Sequence, residues 1–594
     1  MSLRYNKGMY RNRNSSLLCF ALSLFGPSLV LAGLQIQVGT SDPSPSTVGT
    51  FVTWNVQATD SDEGSLWYRF RMREANEADF HVMRDFGPAS EWIWAAVEHE
   101  GQFEIEVAVR NLATGSITET VSSYLVKSAL VNNRAMVQTT PNPLVFVYSA
   151  PSCRVGLSMR VTFSTAGVNA VNTQAKACDG THSMNFYLAG LYGDTRYNAR
   201  HQTLSATGQV TATGPPVEFT AGSVPPIFAN YSVTAGAAGS GVLVRSPLNS
   251  PIAATDLDGN VIWFYQYALD FLTRAEAGGY FWGFRQAGPL GEQSVRKIDL
   301  AGIAVLETNA ARISEQLVAR GERPITSLHH ELASMPDGGV LVLATVAEPG
   351  EKWFYKKGDV FGDKIIVLDR DLNVVWTWDA FDHIDPINLP PILGETCRFA
   401  GCPPAYSNSD ALDWMHANSI QLTPDGNLLL SVRHLDLLLK IDYANGSGAI
   451  LWKLGKGGDF QMQPQQDSDW PWFSHQHDAN FLDEKTILLF DNGNTRLASG
   501  ASNELTSRGQ LIEIDETTMT ARLLRNIDLG AYSAALGSAQ RLPSGNYHFT
   551  VGFLPGFIGY AVEVSPGGEL LYRIDSSSAE YRSIRMKDLY SGPE

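Results

Sequence analysis

Between Ala254 and Tyr572 one short pattern recurs six times, and that recurrence limits the fold more tightly than any other feature of the chain. Each copy is an apolar residue, an acidic residue, a tight turn and, in most copies, a second apolar strand. The copies centre on Asp256, Asp299, Asp369, Asp442, Asp515 and, with serine in the acidic place, Ser565. At least four are preceded by another turn: Met335-Pro336-Asp337-Gly338, Thr423-Pro424-Asp425-Gly426, the degenerate Leu482-Asp483-Glu484 and Leu542-Pro543-Ser544-Gly545. Proline presets φ at the first corner and glycine accepts the left-handed one, so each element reads as a hairpin. Two hairpins make a four-stranded unit, and six such units protect their edges by radial repetition. Intervals of 43 to 73 residues between copies leave room for long connecting loops. The fold class is therefore all-β, with a six-bladed β-propeller expected over residues 226–594.

The preceding residues follow other rules. Arg4, Lys7, Arg11 and Arg13 lead into an apolar stretch from Leu17 to Ala32 that ends in Val30-Leu31-Ala32. Residues 1–32 thus have the three regions of a secretory signal peptide. With Pro27 inside, the stretch is short for a bilayer span of about 20 residues. Export across the inner membrane to the periplasm is expected, without stable membrane insertion; an uncleaved anchor is the lesser alternative. Residues 33–130 and 131–225 alternate apolar and polar positions, as in Phe51-Val52-Thr53-Trp54-Asn55-Val56 and Leu157-Ser158-Met159-Arg160-Val161-Thr162-Phe163. They predict two small β-sandwich domains, Ig-like then fibronectin-like. Cys19 leaves with the signal, and the four remaining cysteines form an even set suited to an oxidising compartment. Sequence-near pairing predicts disulfides Cys153–Cys178 and Cys397–Cys402; zinc is a weaker rival because there is no CxxC pair. A formal charge of −17, from 44 basic against 61 acidic residues, argues against nucleic acid as a partner.

In a propeller the first strand of each blade lines the channel and the second returns to the same end. Residues that start strand one and end strand two should therefore meet. Upstream of three successive hairpins stand Ser327-Leu328-His329-His330-Glu331, Asp413-Trp414-Met415-His416-Ala417-Asn418-Ser419 and Ser474-His475-Gln476-His477-Asp478-Ala479. Second strands end at Ser431-Val432-Arg433-His434 and at Phe490-Asp491-Asn492-Gly493-Asn494-Thr495-Arg496. Arg433 is expected beside His416, and the Asp491 to Arg496 loop beside His477, at one channel mouth. One histidine at a strand start is ordinarily a turn residue satisfied by backbone. Three in register, opposite an arginine, favour a site.

These same segments, Asp413 to Ser419 with Ser431 to His434, Gln476-His477-Asp478 and Phe490-Asp491-Asn492-Gly493, resemble the arylsulfotransferase family, the bacterial aryl sulfate sulfotransferases. The resemblance runs from about Ile227 to the C-terminus. It implies an exported six-bladed propeller that moves a sulfuryl group from a phenolic sulfate ester to a phenol, by a ping-pong mechanism through a sulfo-histidine, with no nucleotide sulfate donor and no cofactor. It implies His477 as nucleophile, His416 and Arg433 as sulfuryl-binding residues, and His330, or its neighbour His329, as the remaining channel histidine. His329, Asn418, Asp491, Asn492 and Trp414 complete the set as substrate-binding candidates. The implied partners are a small aromatic sulfate donor and a phenolic acceptor, with room for a homodimer. The chain departs from the family in Asp478, directly after the nucleophile position, and in carrying two sandwich segments where the family's characterised enzymes have one smaller domain.

The residue types suit the chemistry. A sulfuryl group presents an electron-poor sulfur and three anionic oxygens, so transfer needs a neutral, basic nucleophile and cationic donors. Imidazole supplies the first. Arg433 offers a fork of donors, and His416 and His330 can donate to the oxygens and protonate the departing phenolate. Asp491 or Asp478 would orient His477 through its second nitrogen. Trp263, Trp376 and Trp452 read as blade packing. Trp470, Trp472 and Phe473 read as packing first and as an aromatic wall second, Lys352 to Tyr355 as an entrance loop, and His383, His434 and His548 as structural. Two other functions fit the same residues: a metal-dependent hydrolase or lyase with His330, His416 and His477 as ligands, and a non-catalytic exported ligand-binding propeller. An inward Arg433 would argue against the metal.

Overall fold

The computed structural model describes residues 33–236, 239–353, 355, 357–400, 402, 410–464, 468–500 and 502–593; the expected signal segment 1–32 and Phe354 lie outside the described residues. The repeat has a direct physical cause. Asp369 Oδ1 accepts from the backbone N–H groups of Asp371 (2.9 Å) and Asn373 (2.8 Å). Asp256 Oδ1 does the same for Asp258 (3.0 Å) and Asn260 (2.8 Å). Ser565 Oγ takes that place toward Gly567 (3.2 Å) and Glu569 (3.1 Å). One side-chain oxygen closes the turn, which is why serine can stand where the other copies have aspartate. In the preceding turns Gly338, Gly426 and Gly545 take φ of +88°, +82° and +88°, a region that a Cβ would strain.

These turns join strands into sheets, each with four antiparallel strands in succession at its centre. In chain order they are Phe271–Glu276 to Ala304–Asn309, Ser327–Ser334 to Val374–Asp379, Ala417–Leu422 to Ile450–Gly455, His477–Phe481 to Thr520–Asp528, and Ser538–Arg541 to Leu570–Ser576. A sixth is formed by Val242–Pro247, Ala253–Asp256 and Val261–Phe264, and its fourth strand is the C-terminal Glu580–Met586. The first strands of successive sheets touch in series, and Glu580–Met586 contacts both Phe271–Glu276 and Ser538–Arg541. The two chain ends of this region are clasped by an ion pair: Arg245 Nη1 donates to Glu580 Oε1 at 2.7 Å, with both side chains fully buried. Burial of a large apolar side chain such as Trp263, 0% exposed, is worth about 1.5–3 kcal/mol. A buried ion pair, by contrast, specifies which strands meet more than it stabilises them.

Residues 35–127 form two facing sheets, Gln35–Thr40, Thr50–Thr59 and Glu91–Ala96 against Leu66–Glu74, His81–Gly87, Gly101–Asn111 and Ile117–Lys127. Alternation places Val52, Trp54 and Val56 of one sheet and Ile105, Val107 and Val109 of the other in one core. His81–Gly87 then pairs in parallel with Ala304–Asn309 and extends that sheet outward. Residues 136–220 form a second pair of sheets, stapled by the Cys153–Cys178 disulfide. Their core is continuous with that of the neighbouring sheets, Phe146, Tyr148 and Leu188 sharing one cluster with Trp263, Phe281 and Tyr590. A second disulfide joins Cys397 and Cys402. No helix among the described residues is long and apolar enough to cross a membrane.

Candidate active site

In three successive sheets the first hairpin is irregular at the same place. Pairing slips between Leu328 and Leu332, between Ala417 and Ser419, and between His477 and Asn480. At or beside each slip a non-glycine residue takes left-handed backbone: His330 at φ +53°, His416 at +54° and Asp478 at +50°. Such conformations are disfavoured locally and persist where the surroundings over-determine them. A bulge also re-aims side chains out of the regular alternation. The result is a packed run of imidazoles, with ring centroids 4.8 Å apart for His330 and His416, 4.6 Å for His416 and His434, and 5.7 Å for His434 and His475. Arg433 follows strand Leu428–Val432, and its backbone N–H donates to the carbonyl of His416 at 3.4 Å.

His477 opens its strand and is 3% exposed. Its Nδ1 lies 2.6 Å from Asn492 Oδ1. Asn492 Nδ2 donates to the carbonyls of Ser533 (2.8 Å) and Leu536 (3.0 Å), which fixes the amide with its oxygen toward the ring. Nδ1 therefore carries the proton and Nε2 the lone pair. Burial holds His477 well below the ordinary histidine range, with Arg433 adding to the shift and the Asn492 bond opposing it. His330 is held down by burial and then by His416, His329 and His477. Its Nδ1 is 2.9 Å from His329 Nδ1, and His329 Nε2 faces Asp363 Oδ1 at 3.1 Å. One of these two Nδ1 atoms donates to the other, so His330 Nδ1 is tied to its neighbour whichever ring carries that proton. His416 donates Nδ1–H to Asp413 Oδ2 at 2.6 Å. All three imidazoles thus have Nδ1 tied to protein and Nε2 left for chemistry.

Several candidates serve other purposes. Trp414 is not a wall for substrate: it is 0% exposed, donates Nε1–H to the Leu389 carbonyl at 2.7 Å and packs on Phe381. Asp491 neither contacts His477 nor is free for substrate, because it accepts from Arg508 Nε (2.7 Å) and the Ser474 N–H (2.7 Å). Asp478 turns away as well, toward the Ala539 N–H (3.1 Å) and Arg582 and Arg274, both at 3.6 Å. The group that orients His477 is Asn492, placed among the substrate contacts by its motif alone. His329 acts through His330. Asn418 ties two strands together by donating to the Gln476 carbonyl at 2.7 Å. Trp470 and Phe473 are buried in packing, His383 stacks on Trp378, and His548 bonds Ser583.

Other residues were invisible to motif spacing. Arg582 and Tyr581 arrive on the C-terminal strand: Arg582 Nη1 donates to Glu331 Oε2 (2.7 Å), and Tyr581 Oη donates to the His330 carbonyl (2.5 Å). Arg582 also lowers the proton affinity of both His330 and His477. No local pattern flags residues that arrive from the far end of the chain. Among the described residues, metal-capable groups come together at Glu395, His434 and His475 and at Asp413, His416 and His434, whereas His330, His416 and His477 do not form such a group. Arg433 Nη1 sits 2.6 Å from His434 Nε2, setting a fixed positive charge against any cation there. A surface cleft of about 980 Å³, between the sheets of residues 136–220 and the adjoining sheets, touches none of these residues.

Solved structures that align with parts of the chain include two of different kinds. A two-domain fibronectin type-III segment of chicken tenascin is 14% identical and covers 32% of this chain and 98% of its own, at a TM-score of 0.14. A purple acid phosphatase from yellow lupin seeds is 10% identical and covers 34% of this chain and 43% of its own, at 0.16. The chain matches no curated protein sequence. The sequence model of the arylsulfotransferase (ASST) family matches residues 239–582, more than half of the 594 residues and all of the histidine cluster. The chain belongs to the arylsulfotransferase family.

Proposed function

We propose that this protein is an exported aryl sulfate sulfotransferase that works through a sulfo-histidine at His477 and needs no nucleotide donor. The observation that carries the proposal is the His477 imidazole: buried, neutral, held by Asn492 in the tautomer that leaves Nε2 unprotonated, and close to the positive charges of Arg433 and Arg582. In the first half-reaction the Nε2 lone pair forms a bond to sulfur as the S–O(aryl) bond breaks. Arg433 takes up the negative charge on the sulfuryl oxygens. His416 enters as the imidazolium, its Nδ1–H held by the Asp413 carboxylate, and gives its Nε2 proton to the departing phenolate. In the second half-reaction an acceptor phenol gives its proton to His416, its oxygen attacks sulfur, and the N–S bond breaks to restore the Nε2 lone pair.

In this account the six sets of four antiparallel strands over residues 226–594 are blades of one propeller, supported by the C-terminal strand Glu580–Met586 completing the sheet of Val242–Pro247. Residues 33–130 and 131–225 are the two sandwich domains that brace it, and two formed disulfides support an oxidising destination such as the periplasm. The test is an assay of the purified protein with p-nitrophenyl sulfate and phenol, with intact-mass analysis after donor alone. Acceptor-dependent nitrophenol release, with a mass gain of about one SO₃ that His477→Ala abolishes, is the expected result. No release and no adduct across several aryl sulfates would overturn the assignment.

A further inference from the structure

We propose, on the footing of the sulfuryl-transfer function above, that His434 is a positioning residue that aims the Arg433 guanidinium at the transferred group. Arg433 Nη1 donates to His434 Nε2 at 2.6 Å. On the other side of the ring, His434 Nδ1–H donates to the backbone carbonyl of Asp413 at 2.7 Å. A guanidinium cannot accept a hydrogen bond and a carbonyl cannot donate one, so neither bond can reverse. The imidazole is locked neutral, with its single proton on Nδ1. Its complete burial, together with His416, Arg433 and His475, holds it well below the ordinary histidine range and works in the same direction.

The ring cannot swing away from this duty. It stands between His416 and His475, and His475 is gripped by Asp436 at 2.8 Å and Glu395 at 2.5 Å. The second η nitrogen of Arg433 donates to the Ala534 carbonyl at 2.9 Å. With both η nitrogens anchored, the orientation of the guanidinium plane is set. What remains is Arg433 Nε, a buried donor with no partner among the described residues, on a residue 6% exposed. A buried charged donor without a partner is free to meet a ligand acceptor. Nε and the spare hydrogen of a neighbouring η nitrogen form the parallel pair of donors that two oxygens of a sulfuryl group would accept.

The test compares His434→Phe, which keeps a flat ring between its neighbours but offers no acceptor, with His434→Gln, whose amide can both accept from Arg433 and donate to Asp413. Each is made in the parent and in Arg433→Met, and each is assayed for p-nitrophenyl sulfate turnover and, by calorimetry, for binding of inorganic sulfate. Hydrogen bonds to charged groups are strong enough that kcat/KM for donor should fall about 10- to 100-fold in His434→Phe. His434→Gln should recover most of that loss, and His434→Phe should add less than about twofold in the Arg433→Met background. Sulfate affinity should follow the same order. Unchanged turnover and sulfate affinity in His434→Phe, or an equal loss with and without Arg433, would overturn the role of His434 while leaving sulfuryl transfer intact. A parent protein that neither turns over aryl sulfates nor binds sulfate would overturn both.

Discussion

Replacing Asn492 by alanine separates the chemical and structural duties of one buried amide. Asn492 is 0% exposed and makes three hydrogen bonds, to His477 Nδ1 (2.6 Å), the Ser533 carbonyl (2.8 Å) and the Leu536 carbonyl (3.0 Å). At about 1 kcal/mol net for each bond, Asn492→Ala should cost about 3 kcal/mol of stability, more where a carbonyl stays dry and unpaired. The effect on chemistry is distinct. Without an acceptor at Nδ1 the imidazole is free to carry its proton on Nε2, and that tautomer has no lone pair for sulfur. Loss of the partner that fixes a functional histidine costs about 10- to 100-fold, or up to about 2.7 kcal/mol in the barrier. The assay is stopped-flow release of p-nitrophenolate with no acceptor present, which reads His477 sulfurylation alone, with urea denaturation run in parallel. Asn492→Asp keeps an acceptor toward Nδ1 but adds a negative charge that favours the imidazolium. It should retain the burst above neutral pH and acquire an acid limb that the parent lacks. If Asn492→Ala loses stability but keeps its sulfurylation rate within threefold of the parent, the tautomer argument is wrong.

Further outcomes follow from the same geometry. His330, His434, His477 and His548 are all held below the ordinary histidine value, by burial first in each case and to about 3 for His548. The unfolded chain therefore takes up these protons first. The stability they carry is complete above about pH 6.5 and is lost as pH falls toward the folded values; a Tm that stays constant down to about pH 4 would contradict this. Glu331→Ala removes the nearer of the two carboxylates that Arg582 and Arg274 share, leaving Asp478 at 3.6 Å from each, and urea denaturation should show a loss of about 3 kcal/mol. Removing the Cys153–Cys178 bond, which closes a separation of 25 residues, should cost about 3.5 kcal/mol, against about 2 kcal/mol for the 5-residue separation of Cys397–Cys402. Equal losses on chemical denaturation would refute the loop-length argument.

The recurring turn residues were enough to indicate an all-β chain with six similar units, because an Asp or Ser that closes a turn on its own backbone does so whatever lies around it. The same locality made both disulfide pairs legible. Antiparallel return explains why Arg433 could be placed beside His416, and Asn492 beside His477, from spacing alone. Trp414, Asp478 and Asp491 misled for the opposite reason. They sit next to motif histidines in sequence, but alternation along a strand and the slips in pairing send adjacent side chains to different surroundings. His434, dismissed as structural, gains its place from the ring stacked on it and from the carbonyl and guanidinium on either side, none of which a strand pattern records. Arg582 and Tyr581 reach the cluster only because the last strand pairs with Val242–Pro247, hundreds of residues upstream. Local chemistry writes turns, pairings and residue types into a sequence. The tautomer of His477 depends on the Ser533 and Leu536 carbonyls that fix the Asn492 amide, and the aim of Arg433 on the Ala534 carbonyl and on what holds its neighbour His434, so only the folded chain decides them.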